Sequence, residues 1–226
     1  MRHHQITAAS TLLLGALTAV HAAPSSSTLH ARSASPQCWY GSDFPAESDW
    51  LSFDALFDMW RSEFKVTGDT DEELGIMKDA LNTYSQQGGF SPALATAMMI
   101  RESHGNTCTK CGDSGASCGL LQVHGAPRDC ENKAHPCPAS SIQKGIQCGT
   151  VGCDGSTGSS IKGCVASQGQ KWGEVLRCYN SGSVKNPNDL RDIDFGDPGY
   201  VQQVANILLG ADDQKLGELE GSEYGL

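Results

Sequence analysis

Glu102 stands in the last turn of a stretch, residues 91–103, whose other members are nearly all apolar or small. Burial penalises the ionised form of a carboxylate. The partial negative charge at a helix C-terminus does the same. Both effects raise its pKa, the condition under which a carboxyl keeps its proton near neutral pH and can serve as a general acid. The same residue would suit a solvent-facing helix end or an ion pair with Arg101. A lone carboxylate does not separate these readings, because perturbed groups are only probabilistic markers of chemistry.

Three short motifs give Glu102 a context. The first runs Ile100, Arg101, Glu102, Ser103, His104, Gly105. The second starts at Gly112 and Asp113 and ends in Gly119, Leu120, Leu121, Gln122, Val123. The third is Tyr179, Asn180, Ser181, Gly182. In this order the set resembles the goose-type lysozymes and soluble lytic transglycosylases of glycoside hydrolase family 23. Their pattern is a helix-end Glu-Ser, then Gly-Leu-(Leu/Met)-Gln, then Tyr-Asn-(Ala/Ser)-Gly. The resemblance covers residues 91–125 and 172–210. The cysteine-rich stretch between the second and third motifs lies outside the pattern, as does the Trp-rich region before Phe64.

The resemblance implies a mainly α, lysozyme-like helical domain with few or no strands. It also implies a secreted muramidase that cleaves the β-1,4 bond between N-acetylmuramic acid and N-acetylglucosamine in peptidoglycan, with no metal or organic cofactor. Glu102 becomes the general acid. Ser103 is expected to support its carboxyl, and Gly119 to leave backbone open to the glycan. Leu120 and Leu121 are expected to divide between core and groove wall. Gln122, whose amide both donates and accepts, suits an acetamido group or hydroxyl, and Asn180 either holds its loop or binds an acetamido group. Tyr179 brings a ring and a hydroxyl, and Tyr200 is a further position facing the acid.

Asp113 is the candidate for positioning water in hydrolysis. A second acid is expected directly after Gln122-Val123, and His124 stands there instead. Lytic transglycosylation, in which the sugar's own hydroxyl attacks, therefore stays as an alternative. So do a chitin-active glycosidase and a non-catalytic secreted glycan-binding protein.

Apolar periodicity predicts the elements that must hold these residues. Residues 48–65 carry Leu51, Ala55, Met59 and Phe64 at helical spacing, with Trp50, Phe53, Leu56, Phe57 and Trp60 thickening the apolar side. An acidic start at Asp69, Thr70 and Asp71 opens a second helix with Leu74, Met77, Leu81 and Tyr84 on one face, ending at Gly88-Gly89. Ser91 and Pro92 are N-cap and first residue of a third helix, buried on every side and ended by Gly105-Asn106. Residues 106–168, rich in Gly, Ser and Cys, read as disulfide-pinned loops. Helices return at 170–180 and 200–209.

Residues 1–22 have the pattern of a secretory leader: a short basic start, then an apolar run too short to span a bilayer. Residues 23–37 read as a Ser- and Pro-rich linker, with the catalytic domain over 38–226. Ten cysteines in an exported chain predict a disulfide framework, in one of about 945 pairings. Cys108 and Cys111 also have zinc-ligand spacing, a reading that the oxidising compartment disfavours. The net charge of −10 excludes a nucleic-acid footprint and electrostatic capture by anionic walls. The loop of Asp192, Asp194 and Asp197 lacks the spacing of a calcium loop. No later segment is apolar enough to cross a membrane, and a monomer acting on glycan strands is expected.

Overall fold

The computed structural model describes residues 37–212. The expected leader at 1–22, the linker up to residue 36 and the C-terminal stretch from 213 lie outside the described residues. Within them the protein is mainly α, with seven helices and one two-stranded hairpin: α1 (Phe53–Val66), α2 (Asp71–Gly88), α3 (Pro92–Ser103), β1 (Ser117–Cys118), β2 (Val123–His124), α4 (Ala139–Thr150), α5 (Ile161–Gln168), α6 (Trp172–Ser181) and α7 (Tyr200–Leu208). The hairpin is antiparallel, with Ser117 opposite His124 and Cys118 opposite Val123.

Local chemistry sets the first three helices. Ser52 caps α1 by accepting from the Ala55 N–H. Thr70 and Glu73 form a reciprocal capping box at the start of α2, and Gly89 closes it in the left-handed conformation. Ser91 caps α3 ahead of Pro92. The helix ends at His104, itself left-handed at φ 50°, one residue before the expected glycine.

α3 is the centre of the molecule. Every residue from Ala93 to Ile100 is buried, with α1, α2 and α7 packed around it. The face that α1 turns to it is Leu56, Phe57, Trp60 and Phe64. All four belong to the expected apolar side, but its margin is less covered: Ala55 is exposed, and Leu51 and Met59 are only half-buried. The bulkier rings bury more apolar area per residue, so they take the core side. Trp50, Trp60 and Trp172 are core residues, with Trp50 and Trp172 meeting edge-on at 5.8 Å.

Residues 106–168 are not all loop, for they contain α4 and α5. The sequence of α4 is poor in strong helix formers. Its apolar face comes down to Ile142 and Ile146 with Gly145, Cys148 and Gly149. Packing against α2 supplies what propensity does not. Gly149 has a steric role: a Cβ there would stand 2.5 Å from the Leu121 side chain, so only glycine lets α4 approach the hairpin loop this closely.

Four disulfides form: Cys111–Cys118, Cys130–Cys137, Cys148–Cys153 and Cys164–Cys178. The last ties α5 to α6. Pairing is not complete, because Cys38 and the buried Cys108 are free thiols. The Cys108–Cys111 spacing makes no zinc pair, since Cys111 is committed to Cys118. Four disulfides are the mark of an oxidising, extracellular type of environment. Among the described residues no helix is long and apolar enough to cross a membrane.

Gly105 follows the α3 terminus with φ +72°, and a Cβ there would meet the Phe64 ring at 2.3 Å. Gly105→Ala is expected to lower stability by about 2–4 kcal/mol through backbone strain and overpacking. Urea denaturation measures this, and a shift within error of zero would show that the turn adapts freely.

Candidate active site

The C-terminal turn of α3 opens into a cleft of about 930 Å³. Arg101 and Glu102 reach it from the helix. Gly112, Asp113, Ser117, Gln122, Val123 and His124 line it from the hairpin side, joined by residues 157–159. Tyr179 to Gly182, Asp194 to Asp197 and Tyr200 line it from α6, the following loop and α7. Glu102 is half-buried, packed about by protein but open toward the cleft.

Its surroundings push the Glu102 pKa up to about 7. Desolvation by burial is the main cause. Tyr200 and Arg101 work the other way by favouring the charged form, and the nearby carboxylates of Asp113 and Asp197 add to the rise. Arg101 would be the natural partner of Glu102, but its Nη2 is 2.5 Å from Asp197 Oδ2. The ion pair draws the guanidinium charge toward Asp197 and weakens its hold on Glu102.

Asp197 is itself held by a brace built on Arg177, which is only 1% exposed. The Arg177 guanidinium donates to Asn180 Oδ1 (2.9 Å), to the Ser181 hydroxyl (3.0 Å) and to the carbonyls of Asp197 (2.9 Å) and Pro198 (3.2 Å). Asn180 Oδ1 also accepts from the Asp197 N–H at 2.8 Å. Asn180 therefore holds the loop, and its carboxamide oxygen is not free for a ligand. Neither Arg177 nor the Arg101–Asp197 pair was foreseen. The one sequence signal was an arginine in the otherwise amphipathic α6, too weak to name a partner 20 residues away.

The cleft gathers Glu102, Asp113, Gln122, Tyr179, Asn180 and Tyr200. Gln122 and Asp113 both carry non-glycine backbones in the left-handed region, at φ 43° and 49°. Such conformations cost energy and persist only where the surroundings enforce them. Gln122 is enforced by its own amide, whose Oε1 accepts from the Gly112 N–H (2.8 Å) and whose Nε2 donates to the Gly119 carbonyl (2.9 Å). The Asp113 carboxylate accepts from the Ser117 hydroxyl at 2.5 Å and is otherwise exposed. Tyr179 donates its hydroxyl to the Leu121 carbonyl (2.7 Å), so it pins the hairpin loop rather than reaching Glu102. The Tyr200 hydroxyl is buried and falls short of full hydrogen-bonding geometry, yet it stands near enough to the Glu102 carboxyl to interact with it.

Four expected residues, Ser103, Gly119, Leu120 and Leu121, fall outside the cleft. Ser103 donates to the carbonyls of Met99 (3.1 Å) and Leu120 (2.8 Å), so it locks the α3 end to the hairpin loop and does not touch the Glu102 carboxyl. Leu120 and Leu121 are both buried, which leaves neither as groove wall. Gly119 and Leu120 line a separate small cavity of about 20 Å³, with Gly119 facing Gly145 of α4. The loop turns these residues toward α4, a helix absent from the expected architecture.

His124 is exposed at the cleft edge, with Nδ1 2.6 Å from the Thr157 hydroxyl. Tyr40 stacks under Arg191 at 4.1 Å, and neither it nor Trp39 lines the cleft. Asp192 and Asp194 both pair with Lys185, at 3.0 and 2.7 Å, so with Asp197 on Arg101 the acidic loop is an ion-paired turn.

Away from the cleft, Glu73, Cys108 and His135 cluster closely enough to be considered as metal ligands. The Thr107 hydroxyl takes the place of an ion among them. It lies 2.6 Å from Asp69 Oδ1, 2.8 Å from Glu73 Oε1, 3.3 Å from His135 Nδ1 and 3.9 Å from Cys108 Sγ. Burial opposes ionisation of Glu73, but bonds from the Thr70 and Cys137 N–H groups, His135 and Thr107 outweigh it and lower its pKa to about 2. The cluster is a hydrogen-bonded joint between α2 and the 106–137 segment.

No family model matches this chain, and no curated protein matches it either.

The raised pKa of Glu102 has a consequence for stability. A carboxyl that ionises near 4.5 in the unfolded chain and near 7 in the folded one takes up a proton on folding between those values. Its stabilisation is full below pH 4.5 and is lost as pH rises through 7. Relative to Glu102→Gln, the wild type is expected to lose up to about 3 kcal/mol across that window. Parallel urea titrations at several pH values measure the difference, and parallel curves for the two proteins would contradict a raised pKa.

Proposed function

We propose that this protein is a secreted glycosidase that cleaves the glycan strands of bacterial peptidoglycan, with Glu102 as general acid. The observation that carries this reading is a carboxyl with a pKa of about 7, set in an open cleft between two carboxylate-bearing walls. The order of motifs shared with goose-type lysozymes and lytic transglycosylases supports the choice of substrate. The four disulfides and the leader-like residues 1–22 support secretion.

The chemistry follows from the positions. Glu102 gives its proton to the glycosidic oxygen, the C–O bond breaks with its electron pair leaving on that oxygen, and positive charge develops at the anomeric carbon. The carboxylate left behind is eased by Arg101 and Tyr200. Asp113, exposed on the hairpin side, orients a water molecule whose oxygen bonds to the anomeric carbon while its proton passes to the carboxylate. The product is a new reducing end.

A second reading rests on His124. It stands where the resemblance implies a second acid, so Asp113 is the one hairpin-side carboxylate in the cleft lining. If Asp113 does not recruit water, attack by the sugar's own hydroxyl gives a 1,6-anhydro end from the same protonation step.

Glu102→Gln is expected to reduce turnover of purified peptidoglycan by about 10²–10⁴-fold while preserving the fold. An active variant would remove Glu102 from the mechanism. Wild-type activity should decline as pH rises through about 7, where Glu102 loses its proton. Mass spectrometry of the digest separates the two outcomes: reducing ends mean hydrolysis, and products lighter by one water mean transglycosylation.

A further inference from the structure

Phe195 is 70% exposed, one of two large hydrophobic side chains so open among the described residues. The other, Val66, stands at the end of α1 and lines no part of the cleft. Phe195 lines the cleft on the loop between α6 and α7. A single exposed ring is ordinary on an open surface, but this one lines, with Glu102, a cleft of about 930 Å³, where a ligand would meet it.

The loop that carries it is held on both flanks. On one side Lys185 grips Asp192 and Asp194. On the other, the Asp197 N–H is bonded to Asn180 and the Asp197 carboxylate to Arg101. Between them Gly196 lies against Asn180 so closely that a Cβ would stand 2.5 Å from its Oδ1. The ring is thus displayed from a fixed backbone. The other aromatic residues of the cleft offer much less: Tyr200 is 1% exposed, and Tyr179 is half-buried with its hydroxyl committed to Leu121.

We propose that Phe195 is a stacking platform for an uncharged hexopyranose of the N-acetylglucosamine type, forming a binding subsite on the α6–α7 side of the cleft. The inference rests on the glycosidase reading and goes further by assigning a sugar type to one position. One face of such a pyranose presents C–H groups that match an aromatic ring, and its edge carries hydroxyls. The Asp194 carboxylate, next in the chain and also in the cleft lining, is an acceptor for them. The Asp194 carboxylate beside the ring is 82% exposed, so a sugar bearing its own carboxylate is disfavoured here.

The test uses the full chain carrying Glu102→Gln, so that ligand is bound without turnover, and the β-1,4-linked tetramer of N-acetylglucosamine as probe. Calorimetry is expected to give affinity about five- to tenfold weaker when Phe195→Ala is added, the usual worth of one aromatic stacking contact. Phe195→Trp is expected to restore it, and the new indole to shift its fluorescence to the blue when the tetramer binds. Equal affinities for the Phe and Ala forms, or no tetramer-dependent shift of the Trp form, would overturn the subsite and leave the glycosidase reading standing. Failure of the Glu102→Gln protein to bind the tetramer or soluble peptidoglycan fragments would overturn both. Because the side chain is so exposed, Phe195→Ala should unfold at the same temperature as its parent, which separates lost binding from lost fold.

Discussion

The burial of α3 from Ala93 to Ile100 is the constraint on which the site depends. A helix enclosed by α1, α2 and α7 cannot expose its side chains along its length, so its polar function is confined to the final turn. Arg101 and Glu102 emerge there, beside the cleft. The same enclosure removes water from around Glu102, and desolvation is the leading cause of its raised pKa. Packing and chemistry are therefore two consequences of one arrangement.

A second level of organisation fixes charges around that carboxyl. An arginine beside an acid would ordinarily hold it ionised. Here Arg101 is drawn to Asp197, whose loop is nailed down by the buried Arg177 and by Asn180. On the hairpin side, Tyr179 and Ser103 hold successive carbonyls of the 119–122 loop, and the Gln122 amide closes it. Several residues with the look of ligand contacts are in fact the fastenings of the cleft. Among the side chains that remain open to a ligand are Glu102, Asp113, His124, Asp194 and the ring of Phe195.

Much of this was legible in the chain. Thr70 with Glu73, Ser91 with Pro92, and Gly89 are short-range signals, and α2 and α3 begin and end within a residue of where they point. The apolar surround of Glu102 was legible for the same reason. The 106–168 segment was not. Its helices α4 and α5 are built from glycine, serine and cysteine, residues of low helical propensity, and are held by packing on α2 and by the link from Cys164 to Cys178. Without α4 in view, Gly119 and Leu120 were assigned to the cleft, when α4 is what they face.

By itself, then, the sequence determined the three N-terminal helices, the position of a lone acid at the end of the most apolar one, and a cysteine content suited to an oxidising environment. Each depends on residues within a few positions of one another, where caps, periodicity and composition act. Only the tertiary structure decided which cysteines pair, which acid claims Arg101, which way the hairpin loop turns, and that Phe195 stands open at the cleft. Those outcomes join segments tens of residues apart. Their energies come from burial and from hydrogen bonds between chains of atoms that local propensity does not bring together.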